Sequence, residues 1–169
     1  MKYRFEHEFA CDRDMLIRTM FEKGVATRLL TNMKAVEQAE ELSWEERGSR
    51  VVRRVRYLPV PMIKSIGPKK VEPRWMEWVE ESEVDLATGA ATYRNVPTTG
   101  KVAELLKNFG TIQFVSAGPG RSKRILEGEL KVLVFLVGAV AERVIHGHAK
   151  TLVDEEARAL QTYVESLKA

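Results

Sequence analysis

The sequence predicts an α+β fold in which a curved antiparallel sheet of about seven strands packs around a long C-terminal helix. Most of the chain before Leu133 consists of stretches in which polar and apolar residues alternate, as in strands with one buried face. The segment from about Leu136 to Leu167 instead repeats its apolar residues at helical spacing. With 169 residues, 44% of them hydrophobic and 30% charged, the chain has the size and composition of one globular domain. We therefore expect a single domain over residues 1–169.

The N-terminal segment predicts one strand followed by two short helices. Residues 3–9 alternate aromatic with charged or polar side chains, which is the pattern of a strand. Asp12 is suited to cap a helix over residues 15–21, and Gly24 separates that helix from a second helical segment over residues 25–30. Two such helices can close one end of a sheet.

Three hairpins are predicted next, each marked by a turn between two alternating stretches. The first covers residues 36–58 and turns at Gly48-Ser49. The second covers residues 74–95, and the third covers residues 111–133. Together with the N-terminal strand, they supply the seven strands of the predicted sheet.

Two connections and the last helix complete the predicted order. Prolines cannot donate to a strand ladder, so Pro59 and Pro61 end a strand and open a loop that runs to Pro73. A helical pattern bounded by glycines predicts a short helix over residues 101–109. Inside the C-terminal helix, Gly138 and Gly147 indicate close packing, a bend, or room left for another group.

This order of strand, two helices, six strands and long helix resembles the helix-grip layout of the START-like or SRPBCC superfamily over nearly the whole chain. Residues 128–143 are similar to the junction of last strand and helix in uncharacterised bacterial members of that superfamily. Residues 53–83, with prolines at 59, 61 and 68, resemble the strand, lid loop and strand of PRELI-type phospholipid carriers. The resemblance implies a cavity between sheet and helix, covered by a lid.

Ten residues are predicted to bind a ligand in that cavity. Large aromatic side chains at strand positions that are expected to point inward either fill a core or line a pocket, and the resemblance favours the pocket. One of the two histidines of the C-terminal helix is predicted to face the sheet, and an inward His148 would be either a core histidine or a polar ligand contact. Met62 and Ile63 would form the apolar tip of the lid, with a basic rim at Lys64, Lys69 and Lys70. The full predicted set is Trp44, Arg53, Tyr57, Met62, Ile63, Trp78, Glu80, Tyr93, Phe114 and His148.

Arg53 and Glu80 are the charged members of this set. Alternate residues of a strand point to the same face, so Arg53 is expected on the face of Val51 and Val55, and Glu80 on the face of Trp78. A buried carboxylate needs a partner, so the pair predicts either an ion pair inside the cavity or a ligand contact. Exposure of Glu80 through a local bulge is the alternative.

Charge and cysteine content restrict the partners that we expect. Basic residues cluster between Arg47 and Arg74, and five acidic residues follow between Glu77 and Asp85, so the cluster pairs either across strands or with an anionic partner. Nucleic acid is not expected, because alternation sends successive arginines to opposite faces of the sheet. The single cysteine, Cys11, excludes an internal disulfide and suggests a reducing cytoplasm, where it would be a small core residue.

No cofactor or metal is predicted, and neither is a secretory signal or a membrane span. His146 and His148 lie two positions apart and diverge by about 200 degrees on a helix, which does not suit a shared metal. Residues 118–123 lack the spacing of a phosphate-binding loop and predict a turn. The longest apolar run, residues 132–137, is too short to cross a bilayer, which takes about 20 residues. We expect a cytoplasmic protein.

Two functions are compatible with these features. The first is binding, with transfer as an extension, of a hydrophobic ligand, for which an anionic lipid is one candidate, and the loop from Pro59 to Pro73 would then contact a membrane surface. The second is an enzyme of the cyclase, aromatase or hydratase kind that uses Glu80, Tyr93 or His148 as acid or base. The oligomeric state is left open by the sequence.

Overall fold

A computed structural model describes residues 1–61, 72–134 and 138–168, together with the backbone of residues 65–66 and 69–70. The elements within these residues are β1 (Lys2–Phe9), α1 (Arg13–Met20), α2 (Val25–Leu30), β2 (Val36–Arg47), β3 (Arg50–Pro59), β4 (Ser65–Ile66), β5 (Lys69–Lys70), a 3-10 helix (Pro73–Met76), β6 (Trp78–Asp85), β7 (Ala91–Pro97), α3 (Gly100–Leu105), β8 (Leu106–Ser116), β9 (Ser122–Val132) and α4 (Gly138–Ser166).

One curved antiparallel sheet organises these elements. Seven strands follow one another in the order β1-β9-β8-β7-β6-β3-β2, and β4 pairs with β5 outside that sheet. Strand β3 shows why the sheet has one buried face, because Val51, Arg53, Val55 and Tyr57 are buried and the residues between them are exposed. The long helix α4 packs against the concave face. The predicted fold class, a helix-grip architecture with two short helices after the first strand, is confirmed.

The two halves of α4 have different surroundings. In its C-terminal half, Leu160 and Val164 are fully buried against the sheet and the short helices. In its N-terminal half, Val140 is 61% exposed and Val144 is 42% exposed. The core is therefore filled at the C-terminal end of the helix, whereas its N-terminal half is partly exposed.

The two helix glycines have different explanations. A Cβ added to Gly138 would lie 2.5 Å from the carbonyl oxygen of Val132, so close packing accounts for this glycine. A Cβ added to Gly147 would meet nothing within 4 Å, so close packing does not account for that one. The start of α4 therefore lies close to the end of β9, and the absence of a side chain at Gly138 allows this approach.

Three local predictions are corrected by the structure. Helix α3 ends at Leu105 and not at residue 109, because the chain from Leu106 onward pairs with β9 and forms β8. Residues 65–66 and 69–70 form short strands inside the predicted loop, and the 3-10 helix Pro73–Met76 replaces the start of the strand predicted from residue 74, so that β6 begins at Trp78. Asp12 precedes α1, but its carboxylate accepts a hydrogen bond from the backbone N–H of Gly120 at 3.0 Å and does not cap the helix.

The basic cluster is paired within the sheet. Arg50 contacts Glu83 at 3.1 Å, Arg54 contacts Glu81 at 3.3 Å, and Arg56 contacts a glutamate of β2. These pairs are exposed, so each contributes at most about 1 kcal/mol. For these arginines of β3 the prediction of internal charge pairing across strands is confirmed, whereas the side chains of Lys64, Lys69 and Lys70 lie outside the described residues.

Cys11 is a buried core residue, as predicted. None of the helices in the described ranges is both long enough and apolar enough to cross a membrane.

Candidate ligand-binding cavity

A cavity of about 390 Å³ lies between the concave face of the sheet and the middle of α4. Its walls are mainly apolar, with side chains such as Leu29 from α2, Ile112 from β8, Leu126 from β9 and Leu152 from α4. This volume is at the lower end of the range of about 300–1,000 Å³ found for sites that hold drug-sized molecules. The cavity is therefore suited to a compact ligand.

Six of the ten predicted site residues line this cavity. They are Arg53, Tyr57, Trp78, Glu80, Tyr93 and His148. Met62 and Ile63 lie outside the described residues. That any of these side chains contacts a ligand stays a prediction.

Trp44 and Phe114 are not among the described residues that line the cavity. The indole Nε1 of Trp44 donates to the carbonyl oxygen of Phe21 at 2.9 Å. The ring of Phe114 packs edge-on against the Phe21 ring, with centroids 6.4 Å apart. Both aromatic residues are on inward strand faces, as predicted, but there they pack around the end of α1.

Arg53 and Glu80, which both line the cavity, form an ion pair in which Arg53 is buried and Glu80 is half-buried. Arg53 is 2% exposed, and its Nη2 lies 3.2 Å from Oε1 of Glu80. Its Nε donates to Ser82 Oγ at 3.1 Å, and its Nη1 donates to the carbonyl oxygen of Met20 at 2.7 Å. The guanidinium also lies over the ring of Phe21, 4.7 Å from the centroid. Arg53 is therefore held by contacts on several sides.

A second buried ion pair joins β9 to α4. Arg124 is fully buried, and its Nη1 lies 2.7 Å from Oε2 of Glu156, which lines the cavity. The Nε and Nη2 atoms of Arg124 are buried without a hydrogen-bond partner among the described residues. Glu156 is therefore the main counter-charge that the described residues offer to this cation.

Sequence reasoning missed this second pair, although a signal for it was present. Arg124 shares strand parity with Ser122 and Leu126, which are both buried, just as Arg53 shares parity with buried valines. Glu156 follows Leu152 and Val153 at helical spacing on the face of α4 that lines the cavity. The same parity argument that selected Arg53 would have selected Arg124.

A pair of tyrosines lies over a pair of glycines on the cavity wall. The register of β1, β9, β8 and β7 places Tyr3, Gly128, Gly110 and Tyr93 in one row. The two tyrosine hydroxyls are 2.6 Å apart, and Tyr3 also donates to Oδ1 of Asn108 at 2.5 Å. A Cβ added to Gly128 would lie 2.3 Å from the Tyr93 hydroxyl and 2.6 Å from the Tyr3 hydroxyl. The glycines therefore make room for the hydroxyl pair.

Burial raises the pKa of the tyrosines that line the cavity. It raises the pKa of Tyr57 well above its ordinary value of 10.0, and it also raises the pKa of Tyr3. The pKa of Tyr93 is raised by burial and further by its hydrogen bond with Tyr3. At neutral pH these phenols are hydrogen-bond donors and acceptors without charge.

These tyrosines predict a loss of stability in base. Because each folded pKa lies above the unfolded value, the unfolded chain loses these protons first as the pH rises. The stability contributed by each tyrosine is fully present below about pH 10 and declines above it by up to about 1.4 kcal/mol per pH unit. Urea unfolding between about pH 8 and about pH 11 should show this decline, and Tyr93→Phe should reduce its slope. If the stability of the wild type and of Tyr93→Phe falls equally steeply with pH, Tyr93 does not contribute to the decline.

The two helix histidines have different surroundings. The ring of His146 packs against Phe5, with centroids 5.4 Å apart, and His148 lines the cavity. In the described ranges, no three His, Cys, Asp or Glu side chains converge on a point that could hold a metal ion.

Solved structures with the same architecture were found by comparison. The Thermus thermophilus protein TTHA0849 superposes over all of both chains with a TM-score of 0.71 and 18% identity. Norcoclaurine synthase from Thalictrum flavum, solved with a transition-state analogue, gives a TM-score of 0.68 at 17% identity, over 100% of this chain and 96% of the synthase. An aromatase/cyclase from a Streptomyces species gives a TM-score of 0.64 at 14% identity, over 98% and 93% of the two chains.

These likenesses show the helix-grip fold, in agreement with the resemblance to START-like or SRPBCC proteins. No protein-family model and no curated protein sequence matches the chain. The finer resemblances, to PRELI-type carriers and to bacterial members of the superfamily, stay predictions.

Proposed function

We propose that this protein binds a compact hydrophobic molecule in the cavity between the sheet and α4. The observation that carries the proposal is the cavity itself, with a volume of about 390 Å³ and mainly apolar walls. Protein interiors are close-packed, and voids larger than a water molecule are few. A ligand that fills this space would gain the contacts that the walls lack and would remove apolar surface from water.

The likeness to ligand-binding enzymes supports the proposal. Norcoclaurine synthase has been solved with a transition-state analogue and with dopamine and hydroxybenzaldehyde. These are compact aromatic molecules. The size of the present cavity also favours a compact molecule over a lipid with two acyl chains. Transfer of the ligand and membrane contact by the loop from Pro59 to Pro73 remain extensions of the proposal that rest on the sequence of the loop.

A second candidate function is acid–base catalysis on a hydrophobic substrate. It is favoured by the presence of Glu80, Glu156 and His148 on the walls of one cavity. Tyr93 is less suited to proton transfer near neutral pH, because burial raises its pKa. Turnover of a bound molecule would distinguish this candidate from simple binding.

Filling the cavity tests the proposed function. Ala149 lines the cavity on α4, so Ala149→Phe would place a phenyl ring in the space that the ligand needs. We expect this change to weaken binding of a neutral fluorescent dye such as Nile red by at least about tenfold, as measured by fluorescence titration. The matched control is Val144→Phe, at an exposed position of the same helix, which should leave binding unchanged.

Two outcomes would count against the proposal. If the wild-type protein does not bind the dye, the cavity is not a site for neutral apolar molecules. If both variants bind it as the wild type does, the dye is held elsewhere. Native mass spectrometry of protein purified from its own host, followed by organic extraction, would then show whether any molecule is retained.

A further inference from the structure

We propose that the polar end of the ligand is an uncharged hydrogen-bond donor, such as an alcohol or a phenol, that Glu80 accepts its hydrogen bond, and that Glu156 adds a second carboxylate to the same cavity. The same arrangement would exclude ligands that end in a carboxylate or a phosphate. This inference rests on the proposed function, because it assumes that the cavity holds the ligand.

Each carboxylate has one oxygen in use and one oxygen open. Oε1 of Glu80 accepts hydrogen bonds from Arg53 and Ser82, and Oε2 of Glu156 accepts one from Arg124. The other oxygen of each carboxylate accepts no hydrogen bond from the described residues, and neither oxygen is among their buried atoms that lack a partner. Both glutamates line the cavity. The open oxygens are therefore acceptors that a ligand can reach.

Both guanidinium groups are buried and already paired with protein groups, although Arg53 also lines the cavity. Arg53 is 2% exposed, and its Nε, Nη1 and Nη2 all donate to protein acceptors. Arg124 is fully buried and is not among the described residues that line the cavity. An anionic ligand would thus meet open carboxylate oxygens, whereas both cations are already paired with those carboxylates, and like charges close together in apolar surroundings repel strongly.

The charge balance favours a neutral group over a cation. The two arginines and two glutamates form two ion pairs, so their charges cancel. The two carboxylates also act on the same hydroxyl: burial raises the pKa of Tyr57, and Glu80 and Glu156 both add to the rise. Both glutamates line the cavity that Tyr57 also lines. A ligand ammonium would be attracted by the open oxygens and repelled by the guanidinium groups, whereas a hydroxyl forms the hydrogen bond without either effect.

A matched set of ligands tests this inference on the wild-type protein. Naphthaleneethanol, naphthaleneacetate and naphthaleneethylamine share one ring system and a two-carbon side chain, and they differ in the charge of the polar end. Their affinities can be measured at neutral pH by displacement of the neutral dye. We expect the alcohol to bind at least about tenfold more tightly than the acetate and the amine. Equal or tighter binding of the acetate or of the amine would overturn the inference.

A substitution and its control test whether the Glu80 carboxylate causes the preference for the alcohol over the acetate. Glu80→Gln removes the negative charge and keeps an oxygen acceptor, so it should narrow the preference for the alcohol over the acetate. Glu81→Gln, at the next position of the strand and paired with arginines on the outer face, should leave the preference unchanged. A preference that Glu80→Gln does not alter would overturn the role of this carboxylate. If the dye binds but the three ligands do not differ, only this inference fails; if neither dye nor ligands bind, the proposed function fails with it.

Discussion

Replacing Glu156 with glutamine is expected to lower the free energy of unfolding by about 3–5 kcal/mol, because it leaves a buried cation without its counter-charge. Arg124 is fully buried, and its contact with Glu156 is the ion pair that the described residues provide. Two of its guanidinium nitrogens already lack partners among those residues. The loss should be measurable as a lower urea midpoint with an unchanged slope.

A control and a double variant separate this effect from the loss of a surface charge. Glu165→Gln removes a carboxylate from an exposed position of the same helix and should cost less than about 1 kcal/mol. Adding Arg124→Met to Glu156→Gln removes the uncompensated cation, so the double variant should be more stable than Glu156→Gln alone. The single variant Arg124→Met completes the comparison. If its loss of stability and that of Glu156→Gln simply add in the double variant, Arg124 and Glu156 do not depend on each other and the explanation is wrong.

Alanine at Gly110 is expected to destabilise the protein by about 3 kcal/mol or more, because the new side chain would overlap the backbone of the next strand. An added Cβ at Gly110 would lie 2.0 Å from the carbonyl oxygen of Glu127 and 2.6 Å from the Tyr93 hydroxyl. The carbonyl oxygen belongs to β9, which pairs with β8 along its whole length, so the strand has little freedom to withdraw. Thermal and urea unfolding would both report the loss.

Gly128→Ala is the variant to compare with Gly110→Ala. Its added Cβ would meet the side chains of Tyr93 and Tyr3, and the nearest atom would be the Tyr93 hydroxyl at 2.3 Å. We expect a loss of about 1–3 kcal/mol. Removing that hydroxyl with Tyr93→Phe should recover part of the loss at Gly128, but little at Gly110, where the backbone clash remains. Equal recovery at both positions would show that the tyrosine pair does not explain the glycine at 128.

The sequence predicted most of the fold because its signals are local. Alternation along β3 and β6 indicated the faces on which Arg53 and Glu80 lie, and the two residues meet on the concave side of the sheet. The helical pattern over residues 101–109 was misleading, since its last residues pair with β9. Helical spacing of a few apolar residues could not outweigh a continuous ladder of backbone hydrogen bonds to a neighbouring strand.

The candidate site could be predicted only in part. Strand parity selected Trp44 and Phe114 as correctly as it selected Tyr57 and Trp78, yet the first two pack around Phe21 and the other two line the cavity. Parity distinguishes the two faces of a strand, but it does not tell which neighbour covers a given point on the inner face. That depends on where α1, α2 and α4 pack.

What the sequence by itself determined is therefore the identity of the elements and the side of the sheet on which each residue lies. Both follow from the repeat of side-chain direction along a strand or a helix, and this repeat involves only residues that are close together in the chain. Only the tertiary structure decided that Tyr3 meets Tyr93 above two glycines and that Arg124 meets Glu156 beneath α4. These contacts join residues far apart in the chain, so they depend on strand order, register and helix packing together, and no local pattern of residues contains that information.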